Sequence, residues 1–407
     1  MYDECDVLVV GAGPSGLSAA LSIILNGLKV LIVERKAEVG IPVKCGELLP
    51  NIKEVENLLP AINTVKNMYM QFKKDKTGEM IKDAIENAVV NKIKKIRLYS
   101  PNNNTFEFNF DGIVINREAF EKSLAIKAKN LGAILKTSTT VEAVSEENGH
   151  YKVSVISNSG GKSFVKARFL IGADGFPSNL AKIMKMKHGY KKNDMVLCAQ
   201  KRIANIKIMD PDVVEMYLSE KYARGGYAWI IPKSDEKANV GLGVRLSYIK
   251  AIPILDCLET FLKSHKIASH YFIKAKSMPA VLKIIPVGGL VNDIVVDRVL
   301  LVGDAAGLVI PINGSGIPTA LASGYMAGKI VSKCAKGEYN LSAYVSVLRK
   351  SIKPMLDRGY LYRKLFDALR SSTLLFERTL KFLGSSGIAN IIKCDPFTKI
   401  VQNLFFE

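Results

Sequence analysis

A chain of 407 residues, 48% hydrophobic and 23% charged, has room for two or three domains and enough apolar residues for a large core. Its 57 Lys and Arg against 38 Asp and Glu give a net charge of +19, which favours a polyanionic partner, either nucleic acid or an anionic membrane surface, unless the lysines simply form a solvated surface. Six scattered cysteines without a Cys-x-x-Cys argue against a disulfide framework, and four histidines without ligand spacing argue against a metal site.

No apolar run reaches the ~18 residues of a membrane span, and Asp3, Glu4 and Asp6 stand where a signal peptide would be basic. The expectation is a cytoplasmic protein whose membrane contact is peripheral. The first element is an apolar strand, Val7 to Val10, running into Gly11, Gly13 and Gly16 in G-x-G-x-x-G spacing. A helix from Leu17 to Asn26 follows, stopped by Gly27, and a second strand, Val30 to Val33, ends at Glu34. Gly11 permits the tight turn, Gly13 lets a pyrophosphate approach the backbone, and Gly16 lets the helix pack on the sheet. Glu34 stands where an adenosine ribose presents its hydroxyls. This is the order of a dinucleotide site.

The loop from Ile41 to Pro50 places Cys45 beside Gly46 and Glu47. Cys45 is read either as a small buried apolar residue or as a cofactor contact. Residues 51 to 110 carry two alternating strands, near Arg97 and Phe106, and read as an insertion outside the first core. A helix starts at Asn116-Arg117-Glu118 and stops at Gly132. Short strands follow near Ile134, Val141 and Tyr151, and a buried strand ends in Ala173-Asp174-Gly175. Residues 191 to 285 turn to aromatic-bearing strands, expected to form an antiparallel sheet. Asp297 to Leu308 returns to the first domain, Gly314-Ser315-Gly316 feeds a helix, and the tail reads as helical. The expected fold is therefore α/β. A discontinuous Rossmann-like domain (1–50, 112–190 and 286–339) joins a substrate domain (51–111 and 191–285) and a helical C-terminal region (340–407).

Four glycine or acid-glycine turns, at Gly11 to Gly16, Gly172 to Gly175, Gly303-Asp304 and Gly314 to Gly316, each follow an apolar strand. Several turns converging on one ligand suit FAD better than NAD. Asp304 can accept ribityl or ribose hydroxyls, and the helix after Gly316 can stabilise negative charge on a reduced flavin.

The opening fingerprint, Gly172-Ala173-Asp174-Gly175 and RVLLVGDAAGL together resemble the glutathione-reductase-type FAD fold of the flavin hydroxylase superfamily. Two stretches, PVKCGE (Pro42 to Glu47) and GGYAWIIPK followed by NVGLG (Gly225 to Gly243), resemble the geranylgeranyl reductase family within it. The resemblance runs from about residue 5 to 350. It implies an FAD enzyme that saturates the isoprenoid chains of archaeal ether lipids. By motif it implies that Gly11, Gly13, Ser15, Gly16, Glu34 and Arg35 hold the adenine side, with Arg117, Val141 and Asp174 as further FAD contacts. Cys45 and Gly46 would lie by the isoalloxazine ring, with Gly303, Asp304, Gly314, Gly316 and Ile317 at the pyrophosphate, ribityl and flavin end. The chain departs from the patterns at Arg224, where the family has Pro, at Ile231, where it has Phe, and at Ala181, where hydroxylases have Arg. The last departure argues against hydroxylase chemistry.

Tyr227 and Trp229 alternate along one strand and so share a face, offering a prenyl chain a broad apolar wall with Pro232 at its end, or else ordinary sheet packing. Saturating an isolated trisubstituted alkene needs a proton on its less substituted carbon and a hydride on the other. Cys45 and Tyr227 are the candidates for the acid. The electron donor would be ferredoxin, NAD(P)H or a quinol-linked route. The tail from Lys353 to Leu383 interleaves Leu, Phe and Tyr with Lys and Arg, either to rest on an anionic membrane surface or to pack with a basic outer face. The competing readings are a monooxygenase or halogenase of the same fold, and a basic membrane- or RNA-binding flavoprotein without alkene reduction. No aromatic RNA platform is evident, so no nucleic acid is expected.

Overall fold

The structure is a computed structural model that describes residues 2–51, 75–249 and 253–396. The parts of the expected substrate domain at 52–74 and of the helical tail at 397–407 lie outside the described residues.

In chain order, β1 (Tyr2–Val10) leads through the glycine turn into α1 (Pro14–Ile24) and β2 (Val30–Val33). β3 (Leu48–Pro50) is followed by α2 (Lys76–Glu86), whose first turn is capped by Asp75 accepting the Thr77 N–H at 2.8 Å. The hairpin β4 (Val89–Tyr99) and β5 (Thr105–Ile115) precedes α3 (Arg117–Asn130), capped by Asn116 at its start. Next come β6 (Ile134–Lys136), β7 (Thr139–Glu147), β8 (His150–Ser157), β9 (Lys162–Gly172) and the short α4 (Asn179–Ile183). β10 (Met195–Ala204), β11 (Val213–Tyr217), β12 (Ala228–Pro232), β13 (Lys237–Arg245), α5 (Ile254–Ser264), β14 (Lys276–Ser277) and β15 (Val281–Pro286) build the second unit. β16 (Val295–Val296) and β17 (Val299–Leu301) return to the first, and α6 (Ile317–Ala335), α7 (Ser342–Ser351), α8 (Lys353–Leu369) and α9 (Thr373–Ile392, kinked at Gly384) complete the described chain.

The first sheet runs β16-β17-β9-β1-β2-β6 and is parallel from β17 to β6, with the β7–β8 hairpin antiparallel on β9. The second half of β1, Val7–Val10, and β2 are buried on both faces, which is why they are continuous apolar runs rather than alternating ones. α1 and α6 pack side by side through small residues, with Ser18 Oγ donating to the Leu321 carbonyl at 2.7 Å and Ser22 Oγ to that of Tyr325 at 3.2 Å. The two segments are some 300 residues apart in sequence, so distant stretches of the chain close one core.

The second sheet runs β14-β10-β13-β12-β11-β4-β5-β3, with β15 also on β10. It is antiparallel except for β4 and β11, which pair in parallel. A hairpin cannot make that pair; β4 and β11 come from separate stretches joined by a long crossover through the first domain. Helix α2 does not join this sheet. Its Ile81 and Ala84 pack into the first core beside α1 and α3. The α8–α9 hairpin covers the second sheet, with Phe376, Leu380 and Ile388 against Ile96, Leu98, Val214 and Met216. It is locked there by Glu377, a buried carboxylate that accepts from Ser100 Oγ (2.9 Å), the Asn102 N–H (2.7 Å) and Asn104 Nδ2 (2.8 Å) at the tip of the β4–β5 turn. Among the described residues no helix is long and apolar enough to cross a membrane.

Candidate active site between the two sheets

One cavity of about 1640 Å³ joins the glycine turn to the face of the second sheet. A pocket for a single drug-sized ligand measures roughly 300–1,000 Å³, so this one has room for two ligands end to end.

The nucleotide end is built by backbone approach. Gly11 sits at φ +109°, and a Cβ there would stand 2.3 Å from the Ala173 carbonyl oxygen; a Cβ on Gly16 would stand 1.9 Å from that of Gly11. These two glycines close the turn. Gly13 differs: a Cβ on it would meet nothing within 4 Å, because it borders the open cavity. No side chain caps α1, so its first N–H groups and positive dipole end are left for an anion. Glu34, at the end of β2, is buried, with Oε2 accepting the Ala12 N–H at 2.8 Å and Oε1 that of Lys36 at 3.0 Å. Both bonds hold the carboxylate at the cavity edge. Arg35 lies exposed at the rim, and burial depresses the pKa of Lys36 against the pull of Glu121 and Glu34.

Asp174 lines the cavity with one carboxylate oxygen committed to the fold. Its Oδ2 accepts the N–H groups of Asn179 (2.7 Å) and Leu180 (3.0 Å), capping α4, and burial raises its pKa. Val141 lines the cavity while its carbonyl is held by Asn179 Nδ2 at 2.9 Å. Gly303 does not line the cavity; it packs under Ser15, where a Cβ would stand 2.7 Å from Ser15 Oγ, and so sets the direction of Asp304.

Cys45, Gly46 and Glu47 form the junction. The Cys45 carbonyl accepts from Gln200 Nε2 at 2.8 Å and the Gly46 carbonyl from Asn239 Nδ2 at 3.0 Å, both from the second sheet. Gly46 has no room for a side chain, since a Cβ would come 2.7 Å from Ile231 Cδ1. Cys45 Sγ accepts the Glu47 N–H at 3.2 Å. Arg117 stands next to it. Burial works against the Arg117 charge, but Glu121, whose Oε1 is 2.5 Å from Arg117 Nε, and then the Cys45 sulfur more than offset it. Glu47 is fully buried and binds Lys233 Nζ (2.7 Å), Asn239 Nδ2 (2.7 Å) and the Arg117 N–H (2.8 Å), with Arg202 Nη2 at 3.6 Å.

At the far side of the junction, Asp304 follows β17 and pairs with Lys283 Nζ at 2.7 Å. Burial raises its pKa, and Lys283, with help from Arg117, overcomes that and holds it below the ordinary carboxylate value. A Cβ on Gly316 would lie 3.3 Å from Asp304 Oδ1, so the Gly314 loop, Ile317 and Asp304 converge. The Tyr227 hydroxyl donates to the Asn313 carbonyl in that loop, and burial pushes its pKa up. Cys198, behind this point, has its thiol pushed up to about 12 by burial.

The wall of the chamber follows the period of a strand. Tyr227, just before β12, and Trp229 and Ile231 on it face the cavity; their rings lie edge to face at 5.9 Å. Pro232 is one step out of phase, lies outside the cavity, and uses its carbonyl to hold Asn91 Nδ2 at 3.0 Å. Leu98, Phe110, Met216, Phe366 and Ile388 complete an apolar lining. Sequence reasoning missed Lys233, Asn239, Gln200 and Lys283. For Gln200, Asn239 and Lys283 the signal was a polar residue within a strand, as in CAQKRI, NVGLGV and VLKIIP; Lys233 stands just past β12 and carried no such signal.

A parallel Rossmann-like sheet with an uncapped glycine-turn helix, opening into a chamber under a second, mainly antiparallel sheet, defines an oxidoreductase fold of the glutathione-reductase flavoprotein class. Comparison with known proteins agrees. The Geranylgeranyl reductase catalytic domain family model matches residues 194–278, and the Thi4 family model matches residues 1–223. A digeranylgeranylglycerophospholipid reductase of Methanocaldococcus jannaschii is 33% identical over 92% of this chain and 90% of that protein. The chain belongs to the digeranylgeranylglycerophospholipid reductase family. Among solved structures, a geranylgeranyl bacteriochlorophyll reductase-like protein from Thermoplasma acidophilum superposes with a TM-score of 0.82 at 26% identity, covering 100% of this chain and 98% of that one. A myxobacterial chondrochloren halogenase superposes with a TM-score of 0.67 at 18% identity, covering 99% and 96%, and shares the fold alone.

Proposed function

We propose that the protein is an FAD-dependent reductase that saturates carbon–carbon double bonds in the geranylgeranyl chains of archaeal-type ether lipids. The observation that carries this reading is the continuity of the cavity: it runs from the Gly13 cradle past Cys45 to the apolar face of Trp229. The residues present fit FAD. Gly13 borders open space where a pyrophosphate would lie, Glu34 offers a fixed carboxylate at the ribose position, and Asp304 with the Gly314 loop supplies a second polar end.

Gly11, Gly13, Ser15, Gly16, Glu34 and Arg35 would hold the adenine half, with Arg117 and Val141 alongside. Asp304, Gly314, Gly316 and Ile317 would hold the other half. Bound and reduced, FAD supplies the hydride equivalent. The chain's own residues do the rest. The chamber wall lays the alkene beside Cys45 and excludes water. Cys45 Sγ is the proton donor to the less substituted alkene carbon. Tyr227 is a positioning residue, because its hydroxyl proton is committed to the Asn313 carbonyl. The electron donor is a ferredoxin or NAD(P)H.

The test is anaerobic incubation of the reduced holoprotein with an unsaturated archaeal-type ether lipid. Mass gains of two hydrogens per double bond are expected; flavin that stays reduced with unchanged lipid refutes the reading. Cys45→Ala should keep flavin reduction and lose saturation, and unimpaired saturation would remove Cys45 from the chemistry.

A further inference from the structure

The α8–α9 hairpin has two faces of opposite character. Inward, Phe366, Phe376, Leu380 and Ile388 pack on the second sheet, and Phe366 and Ile388 line the chamber itself. Outward, α8 presents Leu361, Lys364 and Leu365, and α9 presents Leu374, Leu375, Arg378, Lys381 and Phe382. The large apolar members are far from buried: Leu374 is 63% exposed and Phe382 66%. Their spacing, i, i+3, i+4 on α8 and i, i+1, i+4, i+7, i+8 on α9, puts each set on one helix face.

The charge on this face has one sign. Between residues 358 and 386 the sequence holds two carboxylates, Asp367 and Glu377. Asp367 pairs with Arg245 at 3.1 Å, and Glu377 is buried on the β4–β5 turn. Arg378 and Lys381 pair with no carboxylate among the described residues. Leucine and phenylalanine standing in water among unneutralised cations describe a surface for an anionic bilayer, where the apolar side chains enter the acyl boundary and the cations meet headgroups.

We propose that the outward face of the α8–α9 hairpin docks the protein on an anionic lipid bilayer, with the chamber immediately behind it. This rests on the reading of the protein as a lipid-chain reductase only for the fate of the lipid; the docking itself follows from the exposed face. A prenyl chain leaving the bilayer would have one helical layer to pass before reaching Trp229. The net charge of +19 acts in the same direction, drawing the chain to a negative surface.

The experiment is flotation of the full-length, FAD-loaded protein with vesicles of phosphatidylglycerol and phosphatidylcholine, and with phosphatidylcholine alone. Binding is expected to the anionic vesicles, falling at least fivefold in high salt or on neutral vesicles. The triple variant Leu374→Ser, Leu375→Ser, Phe382→Ser and the pair Arg378→Ala, Lys381→Ala should each lose at least fivefold in bound fraction. Flavin content, thermal midpoint and turnover of detergent-dispersed lipid should be unchanged. Met209→Ser with Ile273→Ser removes two equally exposed apolar residues outside the hairpin and should float like wild type. Unchanged flotation of the hairpin variants, or equal loss in the Met209 and Ile273 variant, overturns the proposal. So does a wild type that does not float but forms a dimer that the triple variant splits, which would assign the face to a second copy of the chain. Flotation without lipid saturation would sink the reductase reading and leave the docking surface standing.

Discussion

Lys233 Nζ donates to Glu47 Oε2 at 2.7 Å, joining the loop that carries Cys45 to the second sheet. The carboxylate has no exposure, and Asn239, the Arg117 N–H and the more distant Arg202 complete its surroundings. Glu47 is thus a fixed point on which α3, the Cys45 loop and the second sheet all converge.

Removing it should cost more than a surface ion pair would. Glu47→Ala leaves Lys233 and Arg202 facing each other without their anion, and breaking a buried pair from one side costs roughly 3–5 kcal/mol. Glu47→Gln keeps the shape and some hydrogen bonding and should cost less. Thermal or urea denaturation of the holoprotein measures both, and equal stability of wild type and Glu47→Ala would show that the junction is held by other contacts.

Two glycines of the same turn should separate folding from cofactor binding. Gly11→Ala places a side chain at φ +109° and 2.3 Å from the Ala173 carbonyl, so it should destabilise the fold, by about 1–3 kcal/mol for the backbone strain alone. Gly13→Ala meets no protein atom within 4 Å, so the apoprotein should keep its thermal midpoint. Its FAD affinity should nevertheless fall roughly tenfold, the equivalent of ~1.4 kcal/mol. Titration of apoprotein with FAD beside apoprotein melting curves distinguishes the two.

The cofactor half was legible because its signals are local. The turn from Gly11 to Glu34, the Asn116 cap and the Gly132 stop each lie within one short stretch. The chamber was legible only in part. Trp229 and Tyr227 declared themselves by type and period, but Pro232 was carried along by its motif although the same period turns it away. The polar clamp on the Cys45 loop was not legible at all. Gln200 and Asn239 come from two strands, β10 and β13, and Lys233 from the turn after β12, and nothing local says that they meet at residues 45 to 47. The parallel β4–β11 pair was hidden for the same reason: it is a long-range pairing between an inserted segment and strands expected to be antiparallel.

The Asp304–Lys283 pair should shape the pH dependence of stability. In the native protein the pKa of Asp304 lies below its unfolded value of about 3.9. The pair therefore contributes its stability above that value and loses it as pH falls through the lower native pKa. Lys283→Met removes the cation, leaving burial to dominate, so the native pKa should rise above the unfolded one and the sign should reverse: the variant should gain stability relative to wild type as pH falls towards 4. Melting midpoints of both proteins between pH 4 and 8 test this, and parallel curves would remove Lys283 as the partner that sets the Asp304 charge.

Trp229 should matter through its nitrogen as well as its ring. Trp229 Nε1 donates to Gln200 Oε1 at 3.2 Å, and Gln200 Nε2 holds the Cys45 carbonyl at 2.8 Å, a relay from the chamber wall to the Cys45 loop. Trp229→Phe keeps an aromatic surface for the prenyl chain but strips Gln200 Oε1 of its donor. An unsatisfied buried acceptor costs about 1–3 kcal/mol, enough to let Gln200 turn and release Cys45. The turnover rate should then drop roughly tenfold or more, with the lipid KM little changed, because the apolar wall survives. Gln200→Met should have the same effect by breaking the same relay. Residues acting through one chain of contacts are not additive, so the double variant should be no slower than the worse single one. Multiplying losses in the double variant would mean that Trp229 and Gln200 act independently, Trp229 as a surface for the chain and Gln200 as a support for the loop.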